Sequence, residues 1–358
     1  MRRILGALIL AALASVSAES LACGGGYGAE VTIKPSQTIA VAVRSGQESY
    51  IFRPHFCGAA TEFGLILPIP AALTQNPTLA DAKLFDELEA IAAPSVETVE
   101  VCAQSSFLAS GSKGGDQAAP ANYTADGVYV VSSGTVGQFQ WELLKADSSQ
   151  SFTDWLDANH IAYPAGAPAA FSTYVQAGWY FVAFRVAAGS TAPPSGYRLC
   201  GDFGPIELSF PTSAATIPTR IATANDPNSN FNWRVLAIAD HEQAVPVSSW
   251  LSPYHTAKLT YAGKLTSSDL GAAPAVAGIA NAGQWFTAYD VTFTGNNTPD
   301  LVLAEAAADT AFRDRIYVYK EVTCGVFGCS VNPHARSIPM ALTLAMLGGV
   351  LVFALRRR

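Results

Sequence analysis

Apolar and polar positions alternate along much of the chain. Ile39, Val41 and Val43 are separated by the smaller Ala40 and Ala42, Ser45-Gly46-Gln47 interrupts, and Tyr50, Phe52 and Phe56 resume the same spacing. Period-two patterning on both sides of a turn triplet predicts a β-hairpin. Phe63 to Leu67 is a second apolar run. Pro68-Ile69-Pro70 is expected to end it, because proline brings no N–H to a ladder. Helical spacing takes over at Leu84, Leu88 and Ile91; with Thr78 and Asp81 as a capping-box-like start and Pro94 as a stop, a helix is predicted over about 79–92.

The same reasoning continues downstream. Ser151 with Asp154 predicts a second helix start, which sets Phe152, Trp155 and Leu156 near one face before Asn159 and His160 end the helix. A third helix is predicted over 167–176, closed by Gly178. The run WYFVAFRV over 179–186 is apolar and β-rich, as expected of a buried central strand. Strands are also expected at 128–131 and 139–144, with further candidates at 206–210, 220–224, 233–239, 258–261, 285–294 and 316–322. The stretch 105–127 is rich in Ser, Gly, Ala and Asp, keeps no period and reads as a flexible insertion. The expected fold class is α+β, a mixed, largely antiparallel sheet structure with a few short helices, plus one C-terminal transmembrane helix.

Both ends of the chain carry membrane-directed signals. Arg2 and Arg3 precede the uncharged apolar stretch 4–16, and small residues follow, with Ala18 or Ala22 ending suitable cleavage sites. This predicts a secretory signal peptide over 1–22, since thirteen apolar residues at about 1.5 Å each fall short of a hydrocarbon core about 30 Å thick. At the other end, nineteen residues over 337–355 carry no charge and run straight into Arg356, Arg357 and Arg358. A buried core helix is the alternative reading. Three terminal arginines suit the cytoplasmic face of a bilayer better, which predicts a transmembrane helix over 337–355, a juxtamembrane linker over 324–336 and a cytoplasmic tail over 356–358. The exported body is then 23–323, with the membrane as its partner through the C-terminal span.

Composition sharpens this picture. The 358 residues are 50% hydrophobic and 14% charged, which excludes a disordered polyelectrolyte. Between Cys23 and Ala335 lie 15 of the 21 basic residues and 27 of the 28 acidic ones, a net charge of -12. So acidic a body argues against a nucleic-acid partner, whose binding rests on phosphate neutralisation.

Six cysteines, Cys23, Cys57, Cys102, Cys200, Cys324 and Cys329, form an even set in a chain bound for an oxidising compartment, where disulfides are expected. Cys324 and Cys329 make the best local pair, because Gly325 and Gly328 permit a tight turn between them. A lipid-modified or processed cysteine is the competing reading for the tail. Cys23 follows Ser20-Leu21-Ala22, which partly matches a lipoprotein cleavage box, with cleavage and a disulfide as the alternative.

Several segments together carry a resemblance. Cys23-Gly24-Gly25, the hairpin running into Phe63-Gly64-Leu65-Ile66-Leu67-Pro68-Ile69-Pro70, Asp154-Trp155-Leu156-Asp157-Ala158-Asn159, and the stretch from Tyr174 to Ala183 resemble the bacterial exported family catalogued as domain of unknown function 2330 over roughly 23–250. The resemblance implies a signal peptide and often a C-terminal span, and brings no catalytic residue with it. Leu65 stands here where that family's Phe-x-Trp-x-Leu-Pro-x-Pro stretch has Trp. The tail, with Cys324, Cys329, one short span and an Arg cluster, resembles the tripartite sorting signals of some Gram-negative surface proteins, in which the span is removed by processing.

Candidate chemistry is sparse. Asp240-His241-Glu242 is the densest ionisable cluster and has the residue types of a metal or acid/base site, yet adjacent strand residues point to opposite faces, so a solvated turn is the simpler expectation. His55 and Cys57 share strand parity as a base and a thiol would need, although a disulfide at Cys57 would remove the nucleophile. His160 is expected at a helix end and His255 in a loop. No G-x-S-x-G, H-E-x-x-H, P-loop, EF-hand or dinucleotide-binding motif occurs, so no catalytic, metal or cofactor-binding residue is assigned and no cofactor is expected. Asn122-Tyr123-Thr124 matches a glycosylation sequon. Trp155, Tyr174, Trp179, Tyr180 and Phe181 could line a saccharide groove, but a packed core is the more economical expectation for large aromatics. The reading that results is a membrane-anchored envelope protein acting as a non-catalytic binding or structural module with a protein or saccharide partner; the alternative is an extracytoplasmic hydrolase or saccharide-binding protein.

Overall fold

The computed structural model describes residues 25–27, 32–33, 36–58, 64–102, 127–186, 199–202, 204–225, 228–247, 249–295 and 298–322. The expected signal peptide over 1–22, most of the expected 105–127 insertion, Asn122, Cys23, Cys324, Cys329 and the expected 337–355 span lie outside these residues. Among the described residues, no helix is long and apolar enough to cross a membrane.

Residues 1–95 and 111–315 contain one compact unit. Its larger sheet has eight strands in the order Phe312–Arg313, His255–Lys264, Trp285–Phe293, Phe231–Ala239, Ser36–Arg44, Gln47–Phe52, Ile206–Pro211 and Thr78–Leu79. Every neighbouring pair is antiparallel except Phe231–Ala239 with Ser36–Arg44, which is parallel. A second sheet of five antiparallel strands runs Gly25–Tyr27, Gly64–Ile69, Tyr180–Val186, Phe139–Ala146 and Val128–Val136.

Period two decides how these sheets stack. Ile39, Val41, Tyr50, Phe52, Trp233 and Val235 point from the larger sheet into one core, where they meet Leu65, Leu67, Trp141, Leu143, Val182 and Phe184 from the smaller one. The intervening residues face the other way. Ala40, Ala42, Ile51, Leu236 and Ile238 pack beneath α1 (Leu84–Ala92), α5 (Ser267–Ala272) and α6 (Pro274–Ala277). Ile66, Leu144, Phe181 and Ala183 pack beneath α2 (Ser149–Ala158), α3 (Ala167–Gln176) and α4 (Thr219–Asn225). The unit is therefore four layers deep, helix–sheet–sheet–helix. Its central strands are buried on both faces, which is why runs such as YFVAFRV lack polar alternation.

The largely antiparallel α+β class is as expected, and the hairpin, the 167–176 helix and the 180–186 strand fall where the pattern places them. Three expectations need correction. The candidate strand at 220–224 is the helix α4: Pro218 favours a helical start, and the carboxylate of the distant Asp300 accepts the Arg220 N–H at 3.0 Å, a capping contact no local pattern encodes. The strand starting at Gly64 runs through Pro68 to Ile69. Pro68 is opposite Phe181, whereas on the strand's other edge the partner Gly25–Tyr27 extends only as far as Ile66, so no described ladder partner is lost at Pro68. Helix α1 begins at Leu84 and not at 79, because Thr78 and Leu79 pair with Glu207 and Ile206 as an edge strand. Helices α5 and α6 were not anticipated, although Thr266 and Asp269 form a full capping box.

Residues 96–110 and 316–358 contain the second compact unit. Its described residues, 96–102 and 316–322, belong to the paired strands Ser95–Cys102 and Arg315–Val322, with Cys102 at the end of the first.

Candidate functional site

The sequence-expected site residues disperse. Asp240, His241 and Glu242 follow the strand Phe231–Ala239 and turn to three different partners. Asp240 Oδ1 accepts from Gln284 Nε2 at 3.0 Å. His241 Nδ1 lies 3.2 Å from Asp309 Oδ2. The buried Glu242 carboxylate accepts the Thr310 N–H at 2.6 Å, while its own N–H donates to Asp309 at 2.8 Å. The Glu242 N–H and then His241 hold the Asp309 carboxyl below its usual range. His241 and Glu242 thus fasten the 306–310 connector to the end of the sheet, in a bend where Asp240 and His241 stay exposed and Glu242 is buried.

His160 ends α2 in left-handed backbone, with φ 56°, and donates its N–H to Asp157. His255 is not in a loop; it opens a strand, stacks on Trp250 at 5.1 Å and is bracketed by the Trp250 carbonyl and Thr298 at 3.2 Å each. The aromatic set is mostly core. Trp155, Tyr174 and Phe181 are buried between α2, α3 and the smaller sheet, and only Trp179 and Tyr180 are half-exposed. His55 and Cys57 sit on the strand His55–Gly58, opposite Asp202 and Cys200 of Leu199–Asp202. Among the described residues, no three His, Cys, Asp or Glu side chains gather as a metal site.

A concavity lies elsewhere, at one end of the eight-stranded sheet. Ser45 and Gly46 close the hairpin between Ser36–Arg44 and Gln47–Phe52 with φ of 51° and 76°, the paired left-handed conformations of a type I′ turn that glycine accepts without strain. The Gly46 carbonyl accepts the Thr212 N–H at 2.9 Å, and the Ala215 carbonyl accepts the Leu303 N–H at 2.9 Å, so the connector after Ile206–Pro211 is held between the turn and the 303–305 segment. Gln243–Ala244 pairs with Ala304–Glu305 to form the remaining wall.

The cleft so enclosed has a volume of about 710 Å³. Val43, Ala215, Ala239 and Leu303 supply apolar surface, and Ser45, Ser213, Ser249, Gln243, Asp240 and Glu305 supply hydroxyls, an amide and two carboxylates. No Lys, Arg or His is among its described lining residues. Just inside the turn, Glu48 is wholly buried in the core between the sheets and accepts the Thr216 N–H at 3.1 Å. Burial pushes its carboxyl well above the usual range, and the Thr216 hydrogen bond offsets this only in part.

Of the cleft residues, only Asp240 was singled out by sequence. The Ser45-Gly46 turn was legible, but its meeting with 213–215 and 303–305 depends on strand pairings across more than 160 residues.

The geometry defines a class, a four-layer α+β sandwich with a small acidic cleft at the strand ends. The chain belongs to the family DUF2330, described as "uncharacterized protein conserved in bacteria", which matches residues 17–302. The match extends beyond the expected 23–250 and takes in the cleft residues up to Val302. Neither a curated protein nor a solved structure matches the chain.

Proposed function

We propose that this is an exported, membrane-anchored protein of the bacterial envelope whose body, 23–323, acts as a non-catalytic binding module, oxidised at its cysteines, with the strand-end cleft as its binding site. The single observation that carries the reading is the cleft itself: two carboxylates, three serine hydroxyls and an amide around apolar small residues, with no basic side chain among the described lining residues. Such a lining favours a ligand that brings positive charge and N–H donors, such as a primary amine or a lysine-bearing peptide, because each carboxylate can accept a charge-assisted hydrogen bond. The net charge of -12 over 23–335 would further attract a cation by long-range steering. Burial of Trp155, Tyr174 and Phe181 supports their role as core residues in preference to a saccharide platform.

Calorimetric titration of the full chain in detergent with a trilysine peptide, beside a neutral disaccharide, tests this. Binding of the peptide is expected, weakened about tenfold or more by Asp240→Asn with Glu305→Gln and by raising salt from about 0.05 to 0.5 M. Peptide binding unaffected by the double substitution, or preference for the disaccharide, would overturn it. Cell fractionation with intact-mass measurement tests export, and retention of 1–22 on a cytoplasmic protein would refute that part.

A further inference from the structure

Two of the six cysteines are register partners across a β-ladder. Cys57 of His55–Gly58 is the direct register partner of Cys200 of Leu199–Asp202, in an antiparallel pair within a three-stranded sheet completed by Thr32–Ile33. Directly opposed residues in antiparallel strands have Cα atoms about 4.5 or 5.5 Å apart, depending on the hydrogen-bonding position. Both values lie within the roughly 4.4–6.8 Å range that a disulfide spans.

The register of the adjoining ladder is strongly specified. The ladder between 55–58 and 199–202 continues the one between Gln47–Phe52 and Ile206–Pro211, where Phe52 is opposite Ile206 and Tyr50 is opposite Leu208. Those four side chains are buried in the core between the sheets, and a slip by one residue would turn them out of it. Between the two ladders, Pro54 on one strand and Pro205 on the other interrupt the pairing, and the register shifts by a single residue across the gap. Beyond this gap the second ladder brings Cys57 opposite Cys200 from 143 positions away.

We infer that Cys57 and Cys200 form a disulfide that cross-links two strands of this three-stranded sheet, an assignment that rests on the export reading for its oxidising compartment. Formation proceeds by exchange. A donor disulfide of the envelope accepts the attack of one cysteine thiolate, forming a mixed disulfide and releasing one donor thiol. The second cysteine thiolate then displaces the remaining donor sulfur. Cys57 and Cys200 together give up two protons and two electrons, and the donor ends as two thiols. The pairing removes both sulfurs from nucleophilic chemistry, including any with His55 and Asp202, which are also register partners and share the strand parity of Cys57 and Cys200.

The test is peptide mapping of the full chain purified from its envelope fraction, alkylated without reductant. A cross-linked peptide pair carrying Cys57 and Cys200, about 2 Da lighter than the reduced pair, is expected, and Cys57→Ser should leave Cys200 fully alkylated. Reduced chain made in the cytoplasm and then treated with oxidised glutathione separates the pairing from the export reading. Cys57–Cys200 linkage there, with a native chain that is cytoplasmic and reduced, would refute export and uphold the pairing as geometry. An exported chain in which both thiols alkylate freely, or in which either links to another cysteine, would overturn the inference.

Discussion

Removing the Trp155 side chain is the sharpest perturbation of this fold. Trp155 is 1% exposed on α2; its ring lies parallel to Phe152 at 6.2 Å and beneath the Arg185 guanidinium at 5.3 Å. A large aromatic buries about 150–250 Å², which at about 25 cal/mol per Å² corresponds to about 4–6 kcal/mol. That is an upper bound, since the denatured chain already covers part of the surface and alanine retains a methyl group. The loss of the Arg185 contact adds a little, about 0.5–1 kcal/mol, because Arg185 keeps its hydrogen bond to Asn159 at 2.8 Å. Allowing for partial collapse of the cavity, Trp155→Ala should destabilise the first unit by about 4 kcal/mol, within the ~3–5 kcal/mol range of such truncations. In urea unfolding followed by far-UV circular dichroism, this is a midpoint lower by about 1.3 M for an m-value of ~3 kcal/mol/M. A shift under about 0.3 M with the m-value unchanged would refute the packing described, as would loss of ligand binding without loss of stability.

Two other perturbations follow from buried polar contacts. The Tyr174 hydroxyl donates to Asp300 Oδ1 at 2.7 Å, and this carboxylate also accepts from Arg220 at the start of α4, so Tyr174→Phe should cost about 1.5–3 kcal/mol in the same unfolding assay; a change under ~0.5 kcal/mol would mean the bond contributes nothing. Glu48 has its carboxyl pKa raised by burial, so between the unfolded value near 4.3 and the higher folded one the native state holds a proton that the unfolded chain has lost, and stability falls as pH rises through that window. Glu48→Gln cannot ionise, and its stability relative to the parent chain should climb from pH 4 to pH 8; a difference that stays flat would show that Glu48 ionises as readily folded as unfolded.

How much of this was legible in the sequence depends on the range of the contact responsible. The Ser45-Gly46 hairpin and the 167–176 helix rest on residues within a turn or two of one another, and local pattern suffices for both. The start of α2 was displaced by a few residues: the cap is Ser148, whose hydroxyl accepts the Ser151 N–H, and Ser151 lies inside the helix. Helix α4 was mistaken for a strand because Ile221 and Ala222 enter two different cores, which mimics the alternation of a two-sided strand. The cleft and the register pairing of Cys57 with Cys200 were not legible. Each depends on which strands become neighbours, and strand order is a long-range choice that hydrophobic periodicity does not encode. The local spacing instead drew attention to Cys324 and Cys329, outside the described residues.

The layering also decides where a ligand can act on this protein. Central strands such as Phe231–Ala239 and Gly64–Ile69 are buried on both faces, so nearly every side chain they carry is committed to one of three cores, and altering it opens a cavity. On the binding role proposed above, recognition falls to the strand ends, where Ser45, Ser213, Asp240 and Glu305 are exposed and can be replaced without touching a core. The strand Gln47–Phe52 joins the two features of interest. Its first residue follows the turn that lines the cleft, and its last leads through Pro54 to Cys57. Five steps of about 3.3 Å separate those ends by about 17 Å, beyond the ~7–10 Å over which substitutions usually couple. Substitutions at Asp240 and Glu305 should therefore change binding without altering the oxidation of Cys57, and Cys57→Ser should change stability without altering binding. A strong coupling between them would mean that the hairpin transmits strain along its length, and that the ladder holding the two cysteines is also what sets the shape of the cleft.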